Sequence, residues 1–310
     1  MKYIIISGPT AVGKTDIILE LGQKLNFHVI SVDSRQVYKH MDIGTAKPTV
    51  EEQKLVRHHL IDFIKPDEYY NAFQYRQDAL KIQQKLLKQG IYPVFVGGTG
   101  LYIDALTKGM FEGVPRDENL RKELSNLEKQ EPGILRSMLE KYDPASATRI
   151  HPADIKRTIR ALEVYMKTGK KISELQHHHS ISDDYIIIVL NRNRDELHER
   201  INTRVDAMIK NGLVDEVKKL IMKYPVNLNA FQTIGYKELI LHFERKYDFK
   251  TAIHLIKRNT RRFARRQIIW LRRYKNARWF NLSELSRKEI LTLLENIITK
   301  ARGGGNGNPL

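Results

Sequence analysis

Cysteine is absent from the 310 residues. That excludes disulfides, thiolate metal sites and a cysteine nucleophile, and it fits a reducing compartment. Long apolar runs are also missing. The longest, such as Ile4–Ile6 and Ile186–Leu190, are far too short to span a bilayer. No basic, apolar and small-residue leader pattern precedes the first strand-like run, so a cytoplasmic protein with no membrane partner is expected. Acid is scarce: 36 Asp and Glu face 53 Lys and Arg, a net charge of +17. Such an excess points to a polyanion, because each neutralised phosphate releases condensed counterions. A merely solubilising surface is the plainer alternative. No internal repeat is visible, and nothing reads as a dimer seam, so a monomer is expected.

What is present suggests an α/β architecture. "KYIIISG" (Lys2–Gly8) is a short apolar run ended by glycine, suited to a buried parallel strand. Ile17, Ile18, Leu21 and Leu25 then recur at helical spacing, placing a helix start near Gly13. "HVISVDS" (His28–Ser34) and "YPVFVGGTG" (Tyr92–Gly100) read as further strands, with a helix over Ala72–Gln89 between them. A parallel sheet with helices on both faces is predicted.

From Pro115 to about Asp183 no strand is convincing. Leu120, Leu124 and Leu127, then Ile155, Ile159, Leu162 and Met166, carry helical spacing, and Pro132, Pro144 and Pro152 punctuate them. A small helical domain over 115–183 is predicted, inserted into a core of 1–114 and 184–302. "DYIIIVLN" (Asp184–Asn191) restores a buried strand, long helices follow, and "ARWFN" (Ala277–Asn281) suits a last short strand. Residues 303–310 read as a flexible tail.

"GPTAVGKT" (Gly8–Thr15) matches the Walker A spacing between a strand and a helix. Its glycines let successive amides converge on an anion at a helix N-terminus. Lys14 supplies a point charge to the outer phosphate, and Thr15 a hydroxyl for Mg²⁺. The motif specifies a di- or triphosphate and leaves the chemistry open. Ligands of open α/β sheets sit beyond the carboxyl ends of the strands. That puts Asp33 and Thr99 on the same rim as the loop. Asp33 suits a proton acceptor or a water-mediated Mg²⁺ partner, with a turn or N-cap role as the alternative. "GGTGLY" (Gly97–Tyr102) is either a close backbone approach to a ligand or only a tight turn.

Taken in order, "GPTAVGKT", "DSRQVY", "DIGTAKP" and "GGTGLY" resemble the bacterial-type tRNA dimethylallyltransferases, also called tRNA isopentenyl transferases. "DIKRTIRALEVY" (Asp154–Tyr165), "RINTRVDAMIKNGLVDEV" (Arg200–Val217), "QTIGYKE" (Gln232–Glu238) and "TRRFARRQIIWLRR" (Thr260–Arg273) extend the resemblance to about residue 280. It implies a P-loop NTPase-like core with a helical insertion. It further implies transfer of a dimethylallyl group from dimethylallyl diphosphate to N6 of adenine at tRNA position 37, with Mg²⁺ assisting and diphosphate leaving. On this reading Gly8, Pro9, Thr10, Ala11, Val12, Gly13, Lys14 and Thr15 hold the diphosphate of a prenyl donor. Asp33 matches the family's general base, with Lys14 stabilising the leaving group and Thr99 a positioning hydroxyl. Asp33, Ser34, Arg35 and Gln36 read a flipped-out adenine, Gln36 through two hydrogen bonds to its edge. Thr99, Arg121, Lys156, Arg157, Arg160, Gln232, Gly235, Tyr236 and Lys237 are implied to meet the tRNA anticodon stem-loop. ATP as an occupant of the loop stays open.

Two rows of cations, at 257, 261, 265 and at 258, 262, 266, run side by side in a stretch without Asp or Glu. Packed like charges repel, so phosphate contact is the favoured reading over a solvated face. Trp270 is expected in the core. His177–His179 make a poor metal site, since consecutive histidines do not converge on one ion. Two other readings compete with the prenyltransferase. A small-molecule or nucleoside kinase leaves the charge unexplained. A non-catalytic RNA-binding module leaves Asp33 and "GGTGLY" without a purpose.

Overall fold

Ile4, Ile5 and Ile6 are wholly buried, so strand β1 (Tyr3–Ser7) is covered on both faces. Such a strand needs a neighbour on each edge to satisfy its backbone. In the computed structural model, which describes residues 1–110, 114–175 and 182–303, it has them. The other strands are β2 (Phe27–Ser31), β3 (His58–His59), β4 (Tyr92–Val96), β5 (Tyr185–Asn191) and β6 (Arg278–Asn281). They form one parallel sheet in the order β3-β2-β4-β1-β5-β6. Ile4, Ile6, Val94, Ile188 and Leu190 pack with Ile17, Ile18 and Leu21 of the helix Lys14–Lys24 and with Leu294 and Ile298 of the helix Arg287–Gly303. On the alternate face Ile5, Ile30, Phe95 and Ile187 are buried, and Tyr75 stacks on Tyr102 with ring centres 3.8 Å apart.

Strand β3 has no counterpart among the strands read from the sequence, and it stops at His59. Leu60 and Asp62 take left-handed backbone angles, φ 60° and 55°, and a ladder cannot run through them. The helix Ala72–Lys88 starts where Asn71 and Gln74 form a capping box.

The described residues divide into two compact units: Met1–Thr107 joined by the chain from 182 onward, and the stretch between. The division falls nearer Gly109, φ 75°, which follows the helix Gly100–Lys108, than residue 114. The second unit is helical, with Glu118–Gln130, Ile134–Tyr142, Pro144–Arg149, Ile155–Thr168 and Ile172–Leu175. Its core gathers Leu124, Leu135, Leu139, Leu162 and Val164. His177–His179 and the tail beyond Gly303 lie outside the described residues. Among those described, no helix is long and apolar enough to cross a membrane.

Candidate functional site

The carboxyl ends of β1, β2 and β4 bring the three predicted rim segments to one cavity of about 540 Å³. It is lined by Thr10–Thr15, Asp33–Gln36 and Gly97–Leu101, together with Gly44–Ala46, Gln232–Gly235 and Lys237. The loop after β1 turns on three left-handed or wide angles, at Gly8 (φ 149°), Ala11 (φ 64°) and Gly13 (φ 105°). A Cβ on Gly8 would overlap the Leu190 carbonyl oxygen, so the first loop glycine is required by packing as well as by conformation.

Lys14 opens the helix that follows the loop. Its ammonium donates to the carbonyls of Gly8 at 2.9 Å and Pro9 at 3.0 Å. Burial, and then the neighbouring Arg204, push it down from 10.5 to about 8, against the pull of Asp33. Three guanidinium groups surround the loop. Arg192, just beyond β5, donates to the Val12 carbonyl at 2.9 Å, and Arg200 to the Ala11 carbonyl at 2.9 Å. Arg204 lies one turn on from Arg200 in the helix Arg194–Lys210 and lines the cavity. Burial lowers the pKa of Arg204, Asp16 raises it and Arg200 lowers it. Lys14 and Arg204 face the cavity, whereas Arg192, which also pairs with Glu196, and Arg200 brace the loop through its carbonyls; a loop of this kind at a helix N-terminus suits a multiply charged anion.

These arginines have no role in the sequence reading. "RINTR" was noted only as a family-like segment. The signal available was topological: β5 ends on the same rim as β1, so the segment after it had to meet the loop. Gln267 was also missed. It accepts from the Thr10 amide at 2.9 Å and donates to the Gly98 carbonyl at 3.0 Å, tying the phosphate loop to the turn after β4.

Asp33 holds its own turn and also faces the cavity. One carboxylate oxygen accepts from the amides of Arg35 at 2.8 Å and Gln36 at 3.3 Å, a turn that aims the side chain. Thr99 is tied to the same turn, its hydroxyl accepting from the Ser34 amide at 3.0 Å and donating to the Ser34 hydroxyl at 3.3 Å. Arg35 donates to the Asn229 carbonyl at 3.0 Å.

Several expectations change. Tyr236 is wholly buried, and its hydroxyl donates to Glu216 at 2.5 Å, so it supports the site from behind and does not face a ligand. Gln36 has both amide protons engaged by main-chain carbonyls, so it cannot donate to an adenine edge as expected. Trp270 is not a core residue: it lines the cavity, with Gly100 pressed against its ring and the Arg273 guanidinium 4.6 Å from the ring centre. In the helical unit, Arg121 makes two 2.7 Å hydrogen bonds to the buried Glu163, and Arg160 joins at 2.5 Å. Both guanidinium groups thus have a structural partner. Lys156 and Arg157 of that unit are exposed. On the helix Phe249–Leu271, Lys257 is answered by Asp206 at 2.6 Å and Arg261 by Asn202 at 2.6 Å, while Arg262, Arg265 and Arg266 stay exposed.

Among the described residues no three carboxylates or histidines gather as a metal cage. Thr15, beside Lys14 on the cavity wall, offers a hard oxygen of the kind that holds Mg²⁺ alongside phosphate oxygens.

A family model described as IPP transferase matches residues 36–274. A tRNA dimethylallyltransferase of Thermosipho melanesiensis is 70% identical over 300 residues, covering 97% of this chain and 100% of that protein. The solved tRNA isopentenylpyrophosphate transferase of Bacillus halodurans superposes with a TM-score of 0.74 at 38% identity, over 98% of this chain and 97% of that one. A eukaryotic dimethylallyltransferase acting on tRNA gives a TM-score of 0.84 at 28% identity, over 99% of this chain and 81% of that one. The matched span holds Gln36, the turn after β4, the helical insertion and the basic helix. With relatives alike over nearly their whole length, this chain belongs to the IPP transferase family.

Proposed function

We propose that this protein transfers a dimethylallyl group from dimethylallyl diphosphate to N6 of adenine 37 of tRNA, releasing diphosphate. One observation carries the reading: a cationic phosphate cup and a carboxylate, Asp33, share one cavity that also has an apolar wall. Val96, Leu101, Met208, Phe263 and Trp270 make that wall, against which a prenyl tail sheds water. A small-molecule kinase would leave the exposed Arg262, Arg265 and Arg266 without a partner.

The chemistry follows from charge. An exocyclic amine is a weak nucleophile, and Asp33 accepts one of its protons as the new C–N bond forms. The C–O bond to diphosphate breaks with positive character on the allylic carbon, so negative charge grows on the leaving group. Lys14, the N-terminus of the helix it opens and the Arg204 guanidinium are placed to receive it, with Arg192 and Arg200 bracing the loop. Magnesium, when bound through Thr15 and the diphosphate, supplies further Lewis-acid stabilisation. Gly8, Pro9, Thr10, Ala11, Val12 and Gly13 shape the cup, and Thr99 holds the Asp33 turn. Gln232, Gly235 and Lys237 line the cavity that the base would enter. Lys156 and Arg157 are exposed cations of the helical unit suited to tRNA phosphates.

The test is a mass measurement on an unmodified anticodon stem-loop with adenines at positions 36, 37 and 38, incubated with Mg²⁺ and dimethylallyl diphosphate, with ATP in a parallel tube. One dimethylallyl group gained in the first tube only is expected. With Asp33→Ala, turnover should fall by about a hundredfold or more while stem-loop binding survives. Phosphate transfer from ATP without prenylation would replace the reading with a kinase.

A further inference from the structure

Gln36 lines the cavity beside Ser31 and Asp33. Its amide nitrogen donates to the main-chain carbonyls of Ala46 at 3.0 Å and Thr45 at 3.3 Å. A carboxamide nitrogen has two protons, and both are used. Carbonyls only accept, so this pair also dictates which end of the carboxamide is nitrogen. Among the described residues the oxygen end is engaged only by the Ser31 hydroxyl, at 3.5 Å, the limit of a hydrogen bond. Toward a ligand, Gln36 is an acceptor.

The two carbonyls are held by a carboxylate away from the cavity wall. Glu216, in the first turn of the helix Leu213–Lys223, accepts from three successive amides: Asp42 at 3.0 Å, Ile43 at 2.8 Å and Gly44 at 3.2 Å. Successive amides closing on one anion make a nest, with charge-assisted bonds. Tyr236 completes it, donating to Glu216 and pressing its ring against Gly44, where a Cβ would come within 2.7 Å of the ring's Cζ. Lys47 closes the loop's far end on the Tyr38 carbonyl at 2.8 Å and on Asp62 at 2.7 Å.

We propose that Glu216 is a positioning residue for base selection. By fixing the 42–46 loop it keeps Gln36 an acceptor, so the cavity favours a 6-aminopurine and disfavours a 6-oxopurine. An exocyclic amine has one proton for Asp33 and one for the Gln36 oxygen. A carbonyl there would set lone pairs against lone pairs with no proton between them. This deepens the reading given above and rests on it.

The experiment compares adenosine and inosine at the target position of the stem-loop by competition binding, with the Michaelis constant for dimethylallyl diphosphate measured alongside. Gln36→Leu should reduce the wild-type preference for adenosine about tenfold, and Glu216→Gln and Tyr236→Phe by a comparable factor. The Michaelis constant for the diphosphate should stay within about twofold, which a general loss of structure would not allow. In the Gln36→Leu background, Glu216→Gln should change the preference no further. Tyr236→Phe removes a single hydroxyl and keeps the test open if Glu216→Gln fails to fold. An unchanged preference in Gln36→Leu, or in both Glu216→Gln and Tyr236→Phe, overturns the inference alone. Absence of any prenylation by the wild-type protein overturns the functional reading and the inference with it.

Discussion

Lys14 faces two demands that pull its proton in opposite directions. In the free protein, burial and Arg204 hold its pKa near 8, below the ordinary 10.5. The folded state therefore binds fewer protons than the unfolded chain between those values, and stability rises with pH across that window. Below about 8 the cost of a buried ammonium is present in full. A diphosphate in the cup reverses the balance by stabilising the charged form, so binding near pH 8 should take up protons. Calorimetric titration with inorganic diphosphate, in buffers of different ionisation heat, should show about half a proton more uptake by the wild type than by Lys14→Arg, whose guanidinium never discharges. Equal uptake would mean that Lys14 is not the group facing the anion. At this scale the Walker spacing made Gly8–Thr15 readable. Arg200, Arg204 and Gln267 were not, because their meaning depends on which strand end they stand beside.

The helical insertion shows how an element's reading changes when its partners appear. The family resemblance implies a tRNA contact for Arg121. In the fold it clamps Glu163 across two helices, with Arg160 and the Asp117 amide completing the set. Burial alone would raise the Glu163 pKa, yet hydrogen bonds from Arg121, the Asp117 amide and Arg160 outweigh it and bring it to about 2. A depressed carboxylate stabilises the fold above its ordinary pKa of 4.5 and loses that contribution as pH falls toward 2. Glu163→Gln should cost about 3 kcal/mol, the low end for a broken buried pair because both arginine side chains keep 23% and 28% of their exposure. Hydrogen exchange over residues 118–168 would report it, and unchanged protection would show that the cluster is not what holds these helices. Periodicity was enough to place the helices Glu118–Gln130 and Ile155–Thr168. It could not show that an acid buried between them was the partner of both arginines.

For the whole molecule, the charge of +17 is a statement about partners, and the fold decides where it can act. The row containing Lys257 and Arg261 is partly answered by Asp206 and Asn202 from another helix. Arg262, Arg265 and Arg272 remain exposed. Replacing these three by Gln should weaken stem-loop binding and reduce the slope of log affinity against log salt by about 2, with diphosphate binding unaltered. An unchanged slope would place the RNA elsewhere on the surface. By itself the sequence determined every strand except the two-residue β3, the phosphate loop, the helical character of the insertion and the family resemblance, since each depends on neighbours along the chain. Spacing of apolar residues and of glycines is a local property. Only the tertiary structure decided that Gln36 accepts and does not donate, that Tyr236 stands behind the site, that Trp270 lines it and that three arginines ring the loop. Each of these is set by groups far away in sequence, and hydrogen-bond roles are assigned only when every partner is in place.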